Sequence, residues 1–438
     1  EKTHFLEVAN YRSFFHPFHT DTARLIHALV PDDVFSLGVA YQYFLASGEK
    51  SNAGAYYTPK FLVESIVSNV LGENKSFLEP CSGVGFFAII YASQHFQRYN
   101  SYPSIHINDL DKVALSICLN ALLKLGVPND FIHSTNEDGL QLDIDNTYDV
   151  IATNPPYGIK NHYKAMKTTE IFSHFIHKCF HSYLSQEGNM TMVLPSSLLA
   201  VGKHAEIRKD ILSQMAVNHI SFEGKCFDNV FSDIIVLATE KKAPQDTFLF
   251  FKKGETKEVP QSYCLNSHQH IINFVSEKDI QEQEAWYQKP HETLENATFG
   301  LGIVTGDNKT FLSDTQLPGY IPVIDGKSVS ASGVLIERLK WLKNEPDRFQ
   351  QKPPLHLFGK KKIVYKFISN RIVACVDDNG YYTLNSANFF ILPEDFPFSE
   401  EYVCEILNSD IVNNIFQVKF GYPIKVLKSH LQSLPIFY

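Results

Sequence analysis

Apolar residues near the start of the chain recur at helical spacing. Residues 22–29 and 34–46 carry them three and four positions apart, which predicts helices within a segment that ends near residue 50. The polar stretch 47–54 has the composition of a linker. After it, another helix is expected, with Thr58 as the N-cap and Pro59 at the first helical position.

Short strand-like runs alternate with helical segments between residues 77 and 241. The expected strands are 77–78, 105–107, 131–132, 149–152, 190–194 and 234–238, and residues 112–125 form one of the helices between them. This alternation predicts an α/β fold in which helices cover both faces of a mostly parallel sheet. Beyond residue 243 this alternation of strand-like and helical segments ends. We therefore divide the chain into an N-terminal helical segment (1–50), an α/β domain (51–243) and a C-terminal domain of mixed α and β structure (244–438).

Residues that follow the strands are candidates for ligand binding, because open parallel sheets bind ligands at the carboxyl ends of their strands. The first strand leads into Glu79-Pro80-Cys81-Ser82-Gly83-Val84-Gly85. A G-x-G turn at this point lets a ligand approach the backbone, although a tight structural turn has the same sequence. Pro80-Cys81 is also the nucleophile dipeptide of cytosine-C5 methyltransferases. It follows the wrong strand for that chemistry, so Cys81 is interpreted as a small packing residue.

Acidic residues follow the second and third strands. Asp109 ends the second strand and suits the hydroxyls of a ribose, whereas Asp111 is expected to cap the next helix. Asp138 and Gly139 follow the third strand, where they would meet an adenine amino group. Each acid alone also fits a cap or a turn. Their order along the chain is what favours a nucleotide-like cofactor.

The fourth strand ends in Asn154-Pro155-Pro156-Tyr157. Two prolines fix the backbone and remove two donors, so the Asn154 side-chain oxygen and the Pro155 carbonyl could both accept from a planar amine. Such acceptors draw the amine nitrogen toward sp3 geometry and make its lone pair available to attack a sulfonium methyl group. Tyr157 offers a face for stacking a ring. A Pro-Pro turn that only closes a strand would require neither Asn154 nor Tyr157.

Together these segments resemble the gamma group of adenine-N6 DNA methyltransferases, which includes modification enzymes and subunits of restriction systems. The resemblance covers residues 50–240 strongly and the remainder loosely. It implies a Rossmann-like methyltransferase fold with a mostly parallel seven-stranded sheet, S-adenosylmethionine as the cofactor, and a separate DNA-recognition domain. The residues assigned to the cofactor are Tyr57, Thr58, Pro59, Glu79, Pro80, Cys81, Gly83, Gly85, Asp109, Leu110, Asp138, Gly139 and Asn154. Those assigned to catalysis are Asn154, Pro155, Pro156, Tyr157 and Phe231, with Phe227 as the competitor for the last position.

The charge pattern gives a mixed indication for DNA binding. The 438 residues carry a net charge of −9, which is unfavourable for a protein that binds phosphates. Residues 327–371, here called the basic stretch, nevertheless hold eleven Lys or Arg against three acidic residues. A solvated loop of mixed charge would have the same composition. The expected DNA contacts, from the basic stretch and from the loosely family-like residues 300–309, are Thr305, Lys309, Lys360, Lys361, Lys362, Lys366 and Arg371.

Neither a metal nor a membrane is expected as a partner. The seven cysteines and 18 histidines show no metal-ligand spacing, and His174 and His177, which share a helical face, are assigned a surface or core role. No apolar stretch approaches the length of a membrane helix, and a cytoplasmic protein of a bacterium, an archaeon or a phage is expected.

The predicted function is site-specific methylation of a flipped-out adenine in double-stranded DNA, within a restriction-modification or related defence system. A restriction or specificity subunit is expected as a further partner. The alternatives are an RNA methyltransferase acting on adenine-N6 or guanine-N2, and a protein-glutamine methyltransferase.

Overall fold

A computed structural model describes residues 33–44, 58–158, 167–168, 170–225, 233–421 and 425–438 of the chain. The chain separates into two compact units, Glu1–Ile272 and Asn273–Tyr438. The described helices of the first unit are α1 (Ser36–Phe44), α2 (Lys60–Val70), α3 (Phe86–Tyr99), α4 (Lys112–Leu125), α5 (Ile171–Lys178), α6 (Ala205–Gln214) and α7 (Gln261–Asn266). Its described strands are β1 (Phe77–Glu79), β2 (Ile105–Asn108), β3 (Ile132–Thr135), β4 (Tyr148–Thr153), β5 (Leu184–Pro195), β6 (Ala216–Gly224), β7 (Ile234–Glu240), β8 (Thr247–Lys252) and β9 (Glu255–Pro260).

The strands of the first unit form one sheet in the order β3-β2-β1-β4-β5-β7-β6-β8-β9. Strands β1 to β5 pair in parallel, as the intervening helices predict, and β7 runs antiparallel between β5 and β6. Strand β8 joins β6 in parallel and β9 returns antiparallel to it. The predicted α/β class and mostly parallel sheet are confirmed. The number of strands differs from the expectation: the described sheet has nine strands, and seven were expected.

Residues 244–272 belong to the first unit, although the sequence placed them in the C-terminal domain. Strand β8 alternates exposed and buried residues and buries Phe248 and Phe250 against the unit. The buried Gln261 amide at the start of α7 donates to the Leu212 and Met215 carbonyls, at 3.0 and 2.7 Å. These contacts tie the segment to α6 and the chain before β6. The boundary between units therefore lies after Ile272 rather than after residue 243.

The core of the first unit lies between the sheet and helices α2, α3 and α4. Strands β1 and β2 are buried at every residue, as expected for central parallel strands covered on both faces. Helix α2 contributes an apolar stripe at three- and four-residue spacing, formed by Leu62, Val63, Ile66, Val67 and Val70. Burying each large aliphatic side chain contributes about 1.5–3 kcal/mol, so this stripe fixes the position of the helix on the sheet.

Helix α4 begins at a side-chain cap. Asp111 accepts from the Val113 and Ala114 amides, which confirms the predicted N-cap, and Gly126 ends the helix in the left-handed conformation. The second oxygen of Asp111 accepts from the Tyr41 hydroxyl of α1 at 2.6 Å. One carboxylate therefore both starts α4 and attaches α1 to it.

The second unit contains mixed α and β structure, as the sequence predicted. Its helices are α8 (Glu277–Tyr287), α9 (Asn308–Phe311), α10 (Glu400–Asn408), α11 (Asp410–Phe420) and α12 (Lys428–Gln432). Its strands are β10 (His291–Glu292), β11 (Thr298–Gly300), β12 (Leu312–Ser313), β13 (Tyr320–Ile324), β14 (Val329–Ser330), β15 (Gly333–Val334), β16 (Lys340–Lys343), β17 (Lys362–Lys366), β18 (Ala374–Asp377), β19 (Tyr382–Thr383), β20 (Ala387–Ile391) and β21 (Ile436–Phe437). The two larger sheets have the orders β11-β20-β17-β18 and β12-β16-β13-β19. Across the part of the chain that the structure describes, no helix has the length and apolar character needed to cross a membrane.

Candidate functional site

Strands β3, β2, β1 and β4 are parallel neighbours, so their carboxyl ends lie at one edge of the sheet. We call this the carboxyl edge. The glycine loop 80–85, the acids after β2 and β3, and the Asn154 motif all follow these strand ends. The topology thus brings together segments of which successive ones lie about 15 to 30 residues apart in sequence.

The glycine loop requires glycine for two different reasons. Gly85 has φ 88°, and a Cβ there would overlap the Cys118 sulfur of α4. Gly83 has φ 51°, and a Cβ there would meet no heavy atom within 4 Å. Gly85 therefore serves close packing against α4, whereas Gly83 borders open space that a ligand could occupy.

Asp109 holds the glycine loop from the next strand. Its two carboxylate oxygens accept from the Gly83 amide at 2.6 Å and from the Asp111 amide at 2.8 Å. Burial raises the pKa of Asp109, and the two amide donors oppose that increase. Asp109 as a residue is partly exposed at the carboxyl edge.

Glu79 contacts the protein rather than solvent. Its side chain is 1% exposed and accepts from the Ala88 amide in the first turn of α3 at 2.9 Å. Burial raises the pKa of this carboxyl well above its ordinary value. The observed contact fixes the start of α3 behind the glycine loop, and a direct role for Glu79 in cofactor binding stays a prediction.

Sequence reasoning missed Asn108, the residue that connects three of the loops. It is fully buried, and its amide nitrogen donates to the Pro80 and Glu137 carbonyls, both at 3.0 Å. Its amide oxygen accepts from the Thr135 hydroxyl and the Glu137 amide, also at 3.0 Å. One side chain therefore joins the loops after β1, β2 and β3. The available signal was an Asn inside an otherwise buried strand, because a buried amide must be satisfied internally.

The loop after β3 packs tightly on the glycine loop. A Cβ at Gly139 would lie 2.5 Å from the Pro80 carbonyl oxygen, so the two loops approach at a distance that only glycine allows. Asp138 accepts from the Leu140 amide at 3.0 Å and from the Gln141 side chain at 3.2 Å. Leu110 is 73% exposed beside this loop and offers an apolar surface to a flat ligand.

Asn154 is joined to the start of α2. Its amide nitrogen donates to the Thr58 hydroxyl at 3.1 Å, and Thr58 is 5% exposed. Helix α2 has Pro59 as its N-cap without a side-chain cap, so the expectation that Thr58 caps the helix is wrong. The hydroxyl binds the Asn154 amide instead, and in this way a predicted cofactor residue contacts the predicted catalytic residue.

The other residues of this motif are largely buried. Pro155 is buried and Tyr157 is 7% exposed, so packing fixes the backbone and the ring on either side of the second proline. Tyr57, Phe227 and Phe231 lie outside the described residues. The roles predicted for these three remain predictions.

Cys81 has the properties of a packing residue. Burial raises the pKa of its thiol well above the ordinary value, and the nearby Asp109 charge adds to the effect. A thiol that stays protonated is a poor nucleophile. This agrees with the interpretation of Cys81 as a small side chain that fills space at the loop.

Part of the predicted DNA-contacting set is buried. Lys362 is fully buried in β17, where its ammonium donates to the Asp377 carboxylate at 2.5 Å and to the Phe358 carbonyl at 2.7 Å. Burial lowers the pKa of Lys362, and the Asp377 bond opposes that decrease. Thr305 is 4% exposed and donates to Asn308 at 2.6 Å. The expectation that Lys362 and Thr305 contact DNA is wrong, because neither side chain reaches the surface.

The other predicted contacts are at least partly exposed, but two of them are already paired. Lys361 bridges Glu400 and Glu401, at 3.0 and 2.7 Å, and Arg371 pairs with Asp410 at 3.2 Å. Lys309 and Lys360 are exposed and Lys366 is partly exposed. These residues remain candidates for a phosphate contact.

Comparison with known proteins gives the family. The model of the N-6 DNA methylase family matches residues 32–299, which is more than half of the chain. The chain belongs to this family. The resemblance to adenine-N6 methyltransferases of restriction-modification systems is thereby confirmed, and the class of activity is DNA methylation. A second model, the TaqI-like C-terminal specificity domain, matches residues 321–436 in the second unit.

Individual relatives of this N-6 DNA methylase are restriction-system enzymes. The Type II methyltransferase M.VspI of Vibrio sp. (strain 343) is 30% identical over 338 residues, covering 72% of this chain and 81% of that protein. The Type II methyltransferase M.CvrRI of Paramecium bursaria Chlorella virus XZ-6E is also 30% identical, over 68% of this chain and 74% of its own length. The Type IIL restriction-modification enzyme MmeI, solved in complex with DNA, has the same fold at a TM-score of 0.64. It is 11% identical and covers 92% of this chain and 70% of its own.

Proposed function

We propose that this chain transfers the methyl group of S-adenosylmethionine to the N6 amine of an adenine in double-stranded DNA. The observation that carries the proposal is the Thr58–Asn154 hydrogen bond of 3.1 Å at the carboxyl edge, where the glycine loop and Asp109 also lie. It joins the predicted cofactor segment to the predicted catalytic motif. Such a methylase would act in a restriction-modification or related defence system.

The carboxyl edge fits a nucleoside cofactor. Gly83 borders open space, Asp109 is a partly exposed residue whose carboxylate suits ribose hydroxyls, and Leu110 offers an apolar surface for the base. Asp138 would accept from the amino group of the cofactor's adenine. S-adenosylmethionine, when bound, supplies a methyl group that is already activated by its sulfonium.

Asn154 and Pro155 would orient the substrate amine. The Asn154 nitrogen donates to Thr58, which fixes the plane of the amide before the base enters. The Asn154 oxygen and the Pro155 carbonyl then accept from the two hydrogens of the amine and direct its lone pair toward the methyl carbon. Holding the reacting groups in line lowers the barrier, because their orientational entropy is lost on binding and not in the transfer step.

The target adenine would leave the duplex, because a stacked base cannot reach a cleft at the edge of a sheet. Flipping costs a few kcal/mol. Stacking on Tyr157, and on Phe231 if it takes the predicted position, would return on the order of 1–3 kcal/mol per ring. The match of residues 321–436 to a specificity domain supports a role for the second unit in target recognition. The basic stretch and Lys309 would then contact phosphates.

A methyl-transfer assay tests this function. Purified chain is incubated with S-adenosylmethionine carrying a tritiated methyl group and with duplex DNA, RNA or protein as acceptor. Label is expected in duplex DNA, and nuclease digestion should recover it as N6-methyladenine. Label in RNA or on glutamine would favour the alternative substrates, and label on the C5 carbon of cytosine would contradict the role of Asn154, because that carbon carries no amine to orient.

A further inference from the structure

Three metal-ligating side chains meet at the edge of the sheet opposite the carboxyl edge. Helix α5 continues into a π-helical turn, Cys179–Tyr183, which leads into the amino end of β5. His177 lies in the last turn of α5 and His181 in the π-helical turn. Asp210 lies on α6, whose C-terminus leads to the amino end of β6.

Both imidazoles point a ring nitrogen at the same carboxylate. His177 Nδ1 lies 2.9 Å from Asp210 Oδ2, and His181 Nε2 lies 3.1 Å from the same oxygen. The two imidazole rings are 4.4 Å apart between centroids. One ligand atom from each residue can be chosen so that all three lie within 4.8 Å of one another. The arrangement therefore converges on one point between α5 and α6.

The donor types suit a divalent transition-metal ion. Imidazole nitrogen and carboxylate oxygen are ligands of zinc, cobalt and nickel, at metal–ligand distances of about 2.0–2.2 Å. Donors around such an ion lie roughly 3 Å apart, which is close to the N–O separations observed here. In the absence of an ion, the same contacts would be hydrogen bonds, so a metal would replace the protons between ligands that are already in place.

The surroundings leave the point of convergence open to solvent. The side chains of His177 and His181 are both 36% exposed and that of Asp210 is 18% exposed, so an ion could enter and keep water ligands. Lys241, a nearby cation, donates to the Leu184 carbonyl at 2.8 Å and so holds the end of the π-helical turn. π-Helical turns are frequent at functional sites.

We infer that His177, His181 and Asp210 form a three-ligand site for a divalent transition-metal ion of the zinc type. The ion would link α5 to α6 on one face of the sheet. It lies at the edge away from Asn154, so its effect is on stability and not on methyl transfer. This assigns His177 a more specific role than the surface or core position expected from the sequence.

Zinc binding to the purified chain tests the inference. The protein is first stripped with a chelator and then titrated with zinc chloride by calorimetry. The wild type should bind zinc at this site and show a melting temperature that rises with zinc concentration. His181→Ala and Asp210→Asn should each weaken binding at this site by roughly tenfold or more, since even loss of an outer-shell partner costs that much. The exposed His356 of the second unit provides the matched control, and His356→Ala should bind zinc like the wild type.

Measurements of folding, methyl transfer and cobalt absorption test whether the variants lose only the metal site. Circular dichroism should show that the partly exposed positions tolerate substitution, and methyl transfer by His181→Ala should equal that of the wild type. Cobalt chloride should give visible absorption bands in the wild type that disappear in His181→Ala and persist in His356→Ala. The inference is overturned if the wild type does not bind zinc, or if both cluster variants bind it with wild-type affinity and stoichiometry.

Discussion

The carboxyl edge of the first unit and the basic stretch of the second satisfy their polar side chains in different ways. At the carboxyl edge, Asn108, Glu79 and Asp109 bind backbone amides and carbonyls of neighbouring loops. In the basic stretch, cations bind carboxylates instead, for example Lys340 with Asp314 and Lys361 with Glu400. Backbone bonding fixes the shape of a site, whereas ion pairing cancels charge. The excess of Lys and Arg in the basic stretch is therefore partly offset in space by acidic residues from elsewhere in the chain.

The largest effect expected from this comparison is on stability, at the buried ion pair. Lys362→Ala leaves Asp377 buried without its cation and should lower the free energy of unfolding by about 3–5 kcal/mol. Urea denaturation measures this. The matched control is Lys360→Ala, because Lys360 is an exposed neighbour in the same run, and its effect on stability should stay within about 0.5 kcal/mol.

Lys360→Ala and Lys362→Ala also distinguish a lysine that contacts DNA from a lysine that only stabilises the fold. If Lys360 contacts one phosphate, Lys360→Ala should reduce the salt slope of DNA affinity by about 0.9. Lys362→Ala, assayed where it is folded, should leave the slope unchanged. A stable Lys362→Ala protein with a flattened salt dependence would place this side chain at the surface, against the structure.

The next largest effect is expected at the carboxyl edge, on the rate of catalysis. Asn154→Ala removes an oriented acceptor and should reduce the rate of methyl transfer by roughly 10²–10³-fold, as does loss of one preorganised hydrogen-bonding group elsewhere. Its affinity for S-adenosylmethionine should stay near that of the wild type. Single-turnover transfer and equilibrium binding measure the two quantities.

A contrasting variant lies one loop away. The Asn136 side chain donates to the Asp109 and Leu110 carbonyls, at 2.6 and 3.1 Å, so Asn136→Ala should weaken cofactor binding more than the transfer step. If Asn154→Ala instead abolished cofactor binding with an unchanged rate, the assignment of the two loops would be reversed.

Asn108 tests whether backbone bonding holds the carboxyl edge together. Asn108→Ala removes four hydrogen bonds from a fully buried position and should cost about 3 kcal/mol in the free energy of unfolding. Asn120→Ala is the control, since that buried side chain donates a single bond to the Ser116 carbonyl and should cost about 1 kcal/mol. Equal losses in the two variants would mean that Asn108 does not join the loops.

The smallest expected effect is the difference in stability between Ala variants of Gly85 and Gly83. Gly85→Ala meets both a positive φ and the Cys118 sulfur, and should destabilise the chain by about 2 kcal/mol or more. Gly83→Ala meets only the positive φ and should cost about 1 kcal/mol while weakening cofactor binding. Cys118→Ala combined with Gly85→Ala should recover part of the stability. Failure to do so would mean that the sulfur contact is not the main cause of the loss, because the Cβ of residue 118 would still lie 2.8 Å from the new Cβ.

Much of the carboxyl edge could be predicted because its signals are local. A strand followed by glycines, acids or Asn-Pro-Pro-Tyr is visible in sequence, and parallel pairing then brings those segments together. Asn108 and the Thr58–Asn154 contact could not be predicted in this way, because their partners lie up to 96 residues away along the chain. Lys362 was misassigned for the same reason, since Asp377 was not recognised as its partner. The added strands β8 and β9 were missed because the pairing of β8 with β6, on which β9 then builds, is set by tertiary contacts.

Strand β9 also determines where the sheet of the first unit stops. It is the last strand in the order, and it carries Glu255, Lys257 and Glu258 before ending at Pro260. Charged side chains and a terminal proline make a strand edge a poor template for pairing with another molecule. Strands β8 and β9 thus enlarge the sheet and give it a charged edge strand. A hydrophobic edge strand at the same position would promote aggregation.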